Sequence, residues 1–254
     1  LITAAAEAAA PIALRYWRSD QKVEYKDGGS PVGEADYAVD TFLRDHLTTA
    51  RPDYGWLSEE TEDSAARLST ARQFIVDPID GTRSFVEGNA TWGISIAVVE
   101  HGVPVAGVVA LPARGKVYTA ALGAGAQRDR QPLAAGTRAQ PEGATVLAPK
   151  PSLDPKWWAE APPKLERHFR PSLAYRFCLV AEGRFDAILT IRDAYEWDIA
   201  AGVLIAQEAG ARVTDRNGAP LRFNSVTAKA AGVFGAAPAL HNHLIGLYTG
   251  ATAR

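Results

Sequence analysis

The segment Phe74–Glu87 (FIVDPIDGTRSFVE) concentrates the side chains most capable of chemistry. Phe74, Ile75 and Val76 form a short apolar run that predicts a buried strand. That run ends on two carboxylates, Asp77 and Asp80. Pro78 between them fixes the direction of the chain. Gly81 behind them lets backbone N–H groups approach an anion. Ligands gather beyond strand ends in open α/β sheets, so the segment reads as a metal-and-phosphate site. Asp-Pro-x-Asp-Gly is also ordinary turn chemistry, and other parts of the chain must decide between the two readings.

Two more acidic clusters bear on that choice. Ser58-Glu59-Glu60-Thr61 follows the apolar pair Trp56-Leu57, and Glu196-Trp197-Asp198 opens a helical pattern with Asp198 in its first turn. Carboxylates that converge repel one another unless a hard cation lies between them. The five histidines (46, 101, 168, 241 and 243) lie away from these clusters, and Cys178 is the one cysteine. An all-oxygen donor set argues against zinc and for Mg²⁺, with Mn²⁺ as a substitute. Asp36 stands at a predicted helix start, where a short acid caps free N–H groups, so capping and catalytic roles are both open for it. Lys26 reads as a surface cation or a phosphate-site lysine, and Glu60 as a neighbour of Glu59 that is either solvated or supports the site from behind it.

Four stretches in order, Glu34-Ala35-Asp36, Ser58-Glu59-Glu60, Asp77-Pro78-Ile79-Asp80-Gly81-Thr82 and Trp197-Asp198-Ile199-Ala200-Ala201-Gly202, resemble the motifs of the inositol monophosphatase family. The resemblance runs roughly from Lys26 to Asp215. It implies a layered αβαβα sandwich and a Mg²⁺-dependent, lithium-sensitive phosphomonoesterase working on a small phosphate monoester, as a homodimer. It also implies two or three metal ions. Asp77 would bridge two of them, Glu59 and the Ile79 carbonyl would complete the first, and Asp80 and Asp198 would hold the second. Thr82 would orient the attacking water, with Asp36 accepting from its hydroxyl and Glu59 sharing the activation. Gly81 and Thr82 N–H groups would receive phosphate oxygens, with Asp80, Asp198 and Arg192 as further substrate contacts. Direct hydrolysis by water is expected, because Asp77 is not free to become a phosphorylated nucleophile. Ser58 before the acidic pair, and Asp193-Ala194-Tyr195-Glu196 before Trp197, depart from the commonest pattern. The second resembles the bisphosphate-nucleotidase branch. This favours 3'-phosphoadenosine 5'-phosphate or inositol 1-phosphate over histidinol phosphate. A catalytically idle binding or regulatory relative, and a Mg²⁺-binding nucleotide module without turnover, are the alternatives.

The elements that must position these residues are an α+β first half and an α/β second half. Helices are predicted over Thr3–Arg18, from Asp36 with Val39, Phe42, Leu43 and Leu47 as its core stripe, and over Ser172–Glu182, Asp198–Ala209 and Leu240–Tyr248. A meander of strands is predicted from Trp92 to Gln127, with His101 at a hairpin tip. Further strands are expected at Thr145–Ala148, Phe185–Ile191, Ala211–Thr214 and Ala231–Gly235, and a loop over 27–31. The Pro-, Gly- and Ala-rich stretch Gln131–Gly143 predicts a boundary between residues 1–130, with most metal ligands, and 131–254, with Asp198 and specificity. Trp157-Trp158 reads as one buried and one half-exposed ring at a domain edge, with a substrate mouth as the rival. The 254 residues, 47% hydrophobic and 22% charged, describe a soluble globular protein. A net charge of −2 gives no electrostatic reason to expect nucleic acid or membrane as a partner. Cys178 in an apolar setting reads as a buried thiol, and a reducing cytoplasm is the expected compartment. No signal peptide or bilayer-spanning run is visible. The sequence holds no Met, which leads us to expect the native N-terminus upstream of Leu1.

Overall fold

The computed structural model describes residues 1–26, 29, 31–159 and 162–248; positions 27, 28 and 30 of the predicted loop lie outside them. Helix α1 (Ile2–Tyr16) is followed by a hairpin of β1 (Val23–Tyr25) and β2 (Pro31–Gly33), then helix α2 (Glu34–Ala50). Strands β3 (Gly55–Ser58) and β4 (Arg72–Asp80) run parallel, and β4 ends in the short helix α3 (Thr82–Val86). The meander follows as β5 (Gly93–Glu100), β6 (Val103–Leu111), β7 (Lys116–Ala121), β8 (Gly125–Arg128) and β9 (Gln131–Pro132). Together β3 to β9 form one seven-stranded sheet in sequence order. His101 has φ +49° at the β5–β6 hairpin tip.

Beyond Pro132 come β10 (Thr145–Leu147), β11 (Glu166–His168), α4 (Leu173–Ala181), β12 (Ala187–Thr190), β13 (Ala194–Tyr195), α5 (Glu196–Glu208), β14 (Arg212–Thr214), β15 (Lys229–Ala230), β16 (Val233–Ala236) and α6 (Pro238–Leu247). Five of these strands form a second sheet in the order β11-β10-β12-β16-β14. Strand β11 is polar and partly exposed, and therefore has no alternating apolar signal to announce it.

The layers follow from where apolar side chains fall. On α2, Val39, Leu43 and Leu47 are fully buried and pack with α1 against one face of the large sheet; each such burial contributes roughly 1.5–3 kcal/mol. The opposite face packs on α5, and α4 and α5 fill the space between the sheets in the largest core cluster. Helix α5 is buried on nearly every side from Ile199 to Ala206, as a helix enclosed on all faces must be. Gly202 lets α4 approach it closely, because a Cβ there would lie 2.9 Å from the Phe177 ring. Helix α6 covers the outer face of the second sheet, where Phe234, Leu240 and Leu244 form a third cluster. The result is the αβαβα sandwich. Trp158 is buried and Trp157 half-buried in this third cluster, which accounts for the pair as packing. Cys178 is buried among α4 core residues. Among the described residues, no helix is long and apolar enough to cross a membrane.

Candidate active site

Strand β4, paired on both sides, carries its two acids to its C-terminal end through a break in the ladder. Asp77 pairs with Ser95 and Asp80 with Gly93, with a register shift between them. The Asp77 carboxylate accepts from the Ile79 N–H at 3.0 Å, which folds the Pro78 segment into a tight turn. Gly81 then adopts φ +92°, and a Cβ there would lie 3.1 Å from the Thr91 carbonyl and 3.3 Å from the Ser172 nitrogen. Only glycine combines that backbone with that space.

Ligand-capable oxygens of Glu59, Asp77 and Asp198 lie within 4.8 Å of one another. They come from three elements: the end of β3, the end of β4 and the first turn of α5. Burial pushes Asp77 and Asp198 well above the ordinary carboxyl range, and the neighbouring acids push them further. Acids in this condition favour a cation or a proton. Asp80 lines the same cleft but is turned toward α4. Its oxygens accept from the Ser172 hydroxyl at 2.5 Å and from the N–H groups of Leu173 and Ala174 at 3.1 and 2.7 Å. Burial raises its pKa to about 6, with those donors working in the opposite direction.

Asp36 is the third residue of α2 and serves two neighbours. One oxygen accepts from the Gly33 N–H at 2.9 Å, closing the helix start. The other lies 3.2 Å from the Thr82 hydroxyl, which also has the Ile79 carbonyl at 3.0 Å. One hydroxyl proton serves one of these acceptors at a time. Burial raises the Asp36 pKa to about 7, the Gly33 N–H opposes this, and Glu60 and Glu59 add to it.

Lys26 is not a free surface cation. Its ammonium contacts Glu59 at 3.0 Å and Glu60 at 2.7 Å. Burial works against that charge, yet the two glutamates hold its pKa above the ordinary range. Of the two readings of Glu60, the solvated one is overturned: its side chain is 2% exposed and shares Lys26 with Glu59, which places it behind the site. Ser58 donates to Asp40, and the Thr61 hydroxyl donates to the same carboxylate at 2.6 Å. Those two bonds brace the turn that presents Glu59. Glu196 begins α5 two residues before the predicted start. It is fully buried and accepts from the N–H groups of Asn224 and Ser225 at 2.6 and 2.9 Å.

The acids open into a cleft of about 940 Å³ that also reaches Lys26, Gly81, Thr82, Phe169, Arg192, Tyr195 and Trp197. Arg192 is exposed there and makes no hydrogen bond or ion pair among the described residues. Sequence reasoning missed Phe169. A lone aromatic ahead of a helix start carries no periodicity, and only the fold brings it to this mouth.

Oxygen donors converge at strand and helix ends inside this five-layer fold, a set that suits a hard cation, and similarity to known phosphatases makes the chain a hydrolase of phosphate monoesters. The inositol monophosphatase family profile matches residues 1–250. A 3'(2'),5'-bisphosphate nucleotidase CysQ of Escherichia coli K12 is 34% identical over 206 residues, covering 78% of this chain and 81% of that protein. A histidinol-phosphatase of Mycobacterium tuberculosis is 35% identical over 226 residues, covering 81% and 82%. Among solved structures, the extragenic suppressor protein suhB of Bartonella henselae aligns with a TM-score of 0.84 at 26% identity, over 96% of this chain and 95% of that one. The chain belongs to the inositol monophosphatase family.

Proposed function

We propose that this phosphomonoesterase removes the 3'-phosphate of a nucleotide that also carries a 5'-phosphate, such as 3'-phosphoadenosine 5'-phosphate. The observation that carries the reading is the Arg192 guanidinium, unpaired among the described residues, at an aromatic mouth in the same cleft as the acids. A guanidinium suits a second phosphate, and rings suit a base better than a polyol. Kinship with the nucleotidase CysQ is compatible with this choice but is shared with a histidinol-phosphatase at similar identity, so the reading rests on Arg192 and the rings.

The donor set fits a hard cation, and the Lys26 ammonium at 3.0 Å from Glu59 already stands where positive charge is wanted. In this reading Asp77 and Glu59 with the Ile79 carbonyl, and Asp80 with Asp198, hold two or three Mg²⁺ ions, for which Mn²⁺ substitutes. Such ions supply charge neutralisation and a more acidic water. Thr82 Oγ1 positions the attacking water, and Asp36 accepts the Thr82 proton, so that the hydroxyl oxygen is free to accept from water. Glu59 shares that activation. Gly81 and Thr82 N–H groups receive phosphate oxygens, while Asp198 and Arg192 contact the rest of the substrate. Residues 1–130 then furnish most ligands, and residues 131–254 furnish Asp198 and specificity. A homodimer, inhibition by Li⁺ and a cytoplasmic setting are further parts of the proposal, made by analogy with the family.

Phosphate release with Mg²⁺ tests it, comparing 3'-phosphoadenosine 5'-phosphate, inositol 1-phosphate and histidinol phosphate, with Asp80→Asn as control. A kcat/KM at least about tenfold higher for the nucleotide is expected, corresponding to about 1.4 kcal/mol. Preference for either other ester overturns the substrate assignment. Absence of release from all three overturns turnover itself.

A further inference from the structure

Three rings stand at the cleft mouth, and they differ in what covers them. Tyr195 is stacked on Trp197 with centroids 4.4 Å apart and planes 9° apart, and the Lys229 ammonium lies 4.6 Å from the Tyr195 centroid. Trp197 packs against the central core. Phe169, between β11 and α4, is 46% exposed and lines the cleft beside Pro171 and Arg192.

Phe169 is also backed by a cation. The Arg176 guanidinium carbon lies 4.4 Å from the Phe169 centroid. Arg176 Nε donates to the Arg170 carbonyl at 2.5 Å, and its Nη2 donates to the Pro171 carbonyl at 3.4 Å. The loop after Phe169 is thus tied to the first turns of α4, the same helix start that receives Asp80. Arg176 is 6% exposed on an otherwise apolar helix and makes no direct ion pair among the described residues. Burial lowers its pKa to about 10, with Asp80 and Asp198 opposing that fall, so it keeps its charge at neutral pH. A buried arginine is costly unless its planar group is used. Here it is used to hold a loop and to stack under one ring.

We infer that Phe169, held in place by the positioning residue Arg176, is the platform on which the substrate's nucleobase stacks. The inference rests on the nucleotide reading above and adds to it the residue that recognises the base. A ring pre-set by a guanidinium beneath it gives stacking without the entropy of ordering a loop.

Steady-state kinetics of the full chain with Mg²⁺ test this, using 3'-phosphoadenosine 5'-phosphate and the base-free inositol 1-phosphate. Phe169→Ala is expected to raise KM for the nucleotide by about tenfold, within the range that base–aromatic stacking provides. The kcat for the nucleotide stays within about twofold, as loss of uniform binding requires. Preference over the base-free ester shrinks by the same factor, and Phe169→Trp restores it. Arg176→Gln moves KM in the same direction by less, because the ring remains. If wild type favours the nucleotide and Phe169→Ala lowers both substrates alike, or neither, the platform is overturned and the nucleotide reading stands. If wild type shows no preference for the nucleotide, the reading itself fails and the platform with it.

Discussion

Helix α4 carries a buried carboxylate at each end, and the protein treats the two in opposite ways. At its start, Asp80 meets a hydroxyl and two N–H groups, with no cationic side chain in direct contact among the described residues. Asp80, Asp77, Asp198 and Asp36 are all held above the ordinary carboxyl range. At its end, Glu182 accepts from the Tyr118 hydroxyl at 2.6 Å and from Arg128 at 2.7 Å, with Lys116 and Arg184 each at 3.6 Å. Burial opposes ionisation there too, but these partners hold Glu182 below its ordinary range. The helix dipole favours an acid at the start and disfavours one at the end, so it cannot account for the difference. The supply of counter-charge does. The structural acid receives its cations from the chain. By contrast, Asp77, Asp80 and Asp198 have no cationic side chain in direct contact among the described residues, and Lys26 reaches only Glu59 and Glu60. That is how a site awaiting an outside cation would stand.

This contrast has consequences that separate the two ends. Asp77→Asn should lower nucleotide turnover on the order of 10³-fold, as for loss of one transition-state electrostatic contact. In metal-free buffer its melting temperature should hold or rise, because a repelling charge has gone. A fall in melting temperature would make Asp77 a structural acid like Glu182. Next in size, Mg²⁺ at a hundred times its Kd should stabilise wild type by about 2.7 kcal/mol, read as a rise in melting temperature. Glu59→Gln should diminish that rise, and a wild type indifferent to Mg²⁺ would sink the cation site. Glu182→Gln should destabilise the fold by about 2 kcal/mol in a denaturant titration, with turnover of the folded enzyme within about twofold. Lost turnover at unchanged stability would erase the distinction between the two ends.

How much of this could be read from the residues follows the same division. Asp77, Asp80 and Asp198 each end an apolar run or open a helix, so local pattern points to their clusters, while the choice of Glu59 over Glu60 comes from the family resemblance. The layered fold followed from the alternation of strands and helices and from the family resemblance. For Glu60 the sequence leaves solvent and a supporting place behind Glu59 both open, because its partner Lys26 lies 34 residues away. Asp36 looked like either a cap or a catalytic acid because both partners claim it, one through Gly33 and one through Thr82. The start of α5 was placed at Asp198, since nothing local tells that Glu196 is needed by N–H groups 28 and 29 residues on. Arg176 interrupts the apolar run of α4, and only the fold brings it the Arg170 and Pro171 carbonyls and the Phe169 ring. Sequence pattern thus located the acids, but not the long-range partners that set the charge state of each one.

The smallest expected effect concerns a buried base outside both ends of α4. His241 on α6 is buried, with Nε2 2.8 Å from the Thr214 hydroxyl. That hydroxyl donates to the Asp215 carbonyl at 2.8 Å, so it accepts from Nε2–H and leaves Nδ1 unprotonated. Nδ1 is buried and has no partner among the described residues. Burial first, then Arg212, lowers the His241 pKa to about 4. A histidine depressed in the folded state contributes stability that is complete above its unfolded pKa near 6.5 and is lost as pH falls toward 4. Between pH 6.5 and 5.5 the loss is about 1 kcal/mol. The cleft acids act with the opposite sign. The raised pKa values of Asp77, Asp80, Asp198 and Asp36 make the metal-free protein lose stability as pH rises, and a raw stability profile mixes the two trends. Subtracting the profile of His241→Leu removes the part common to both proteins, because the sites do not share partners. The Thr214 hydroxyl keeps its bond to Asp215 in that variant. The difference profile should therefore slope by about 1 kcal/mol over that pH unit, whether Mg²⁺ is present or not. A flat difference would show that His241 is not held neutral. A slope that vanishes with Mg²⁺ would show that it is coupled to the cleft, and the separation of structural from cleft charges would then fail.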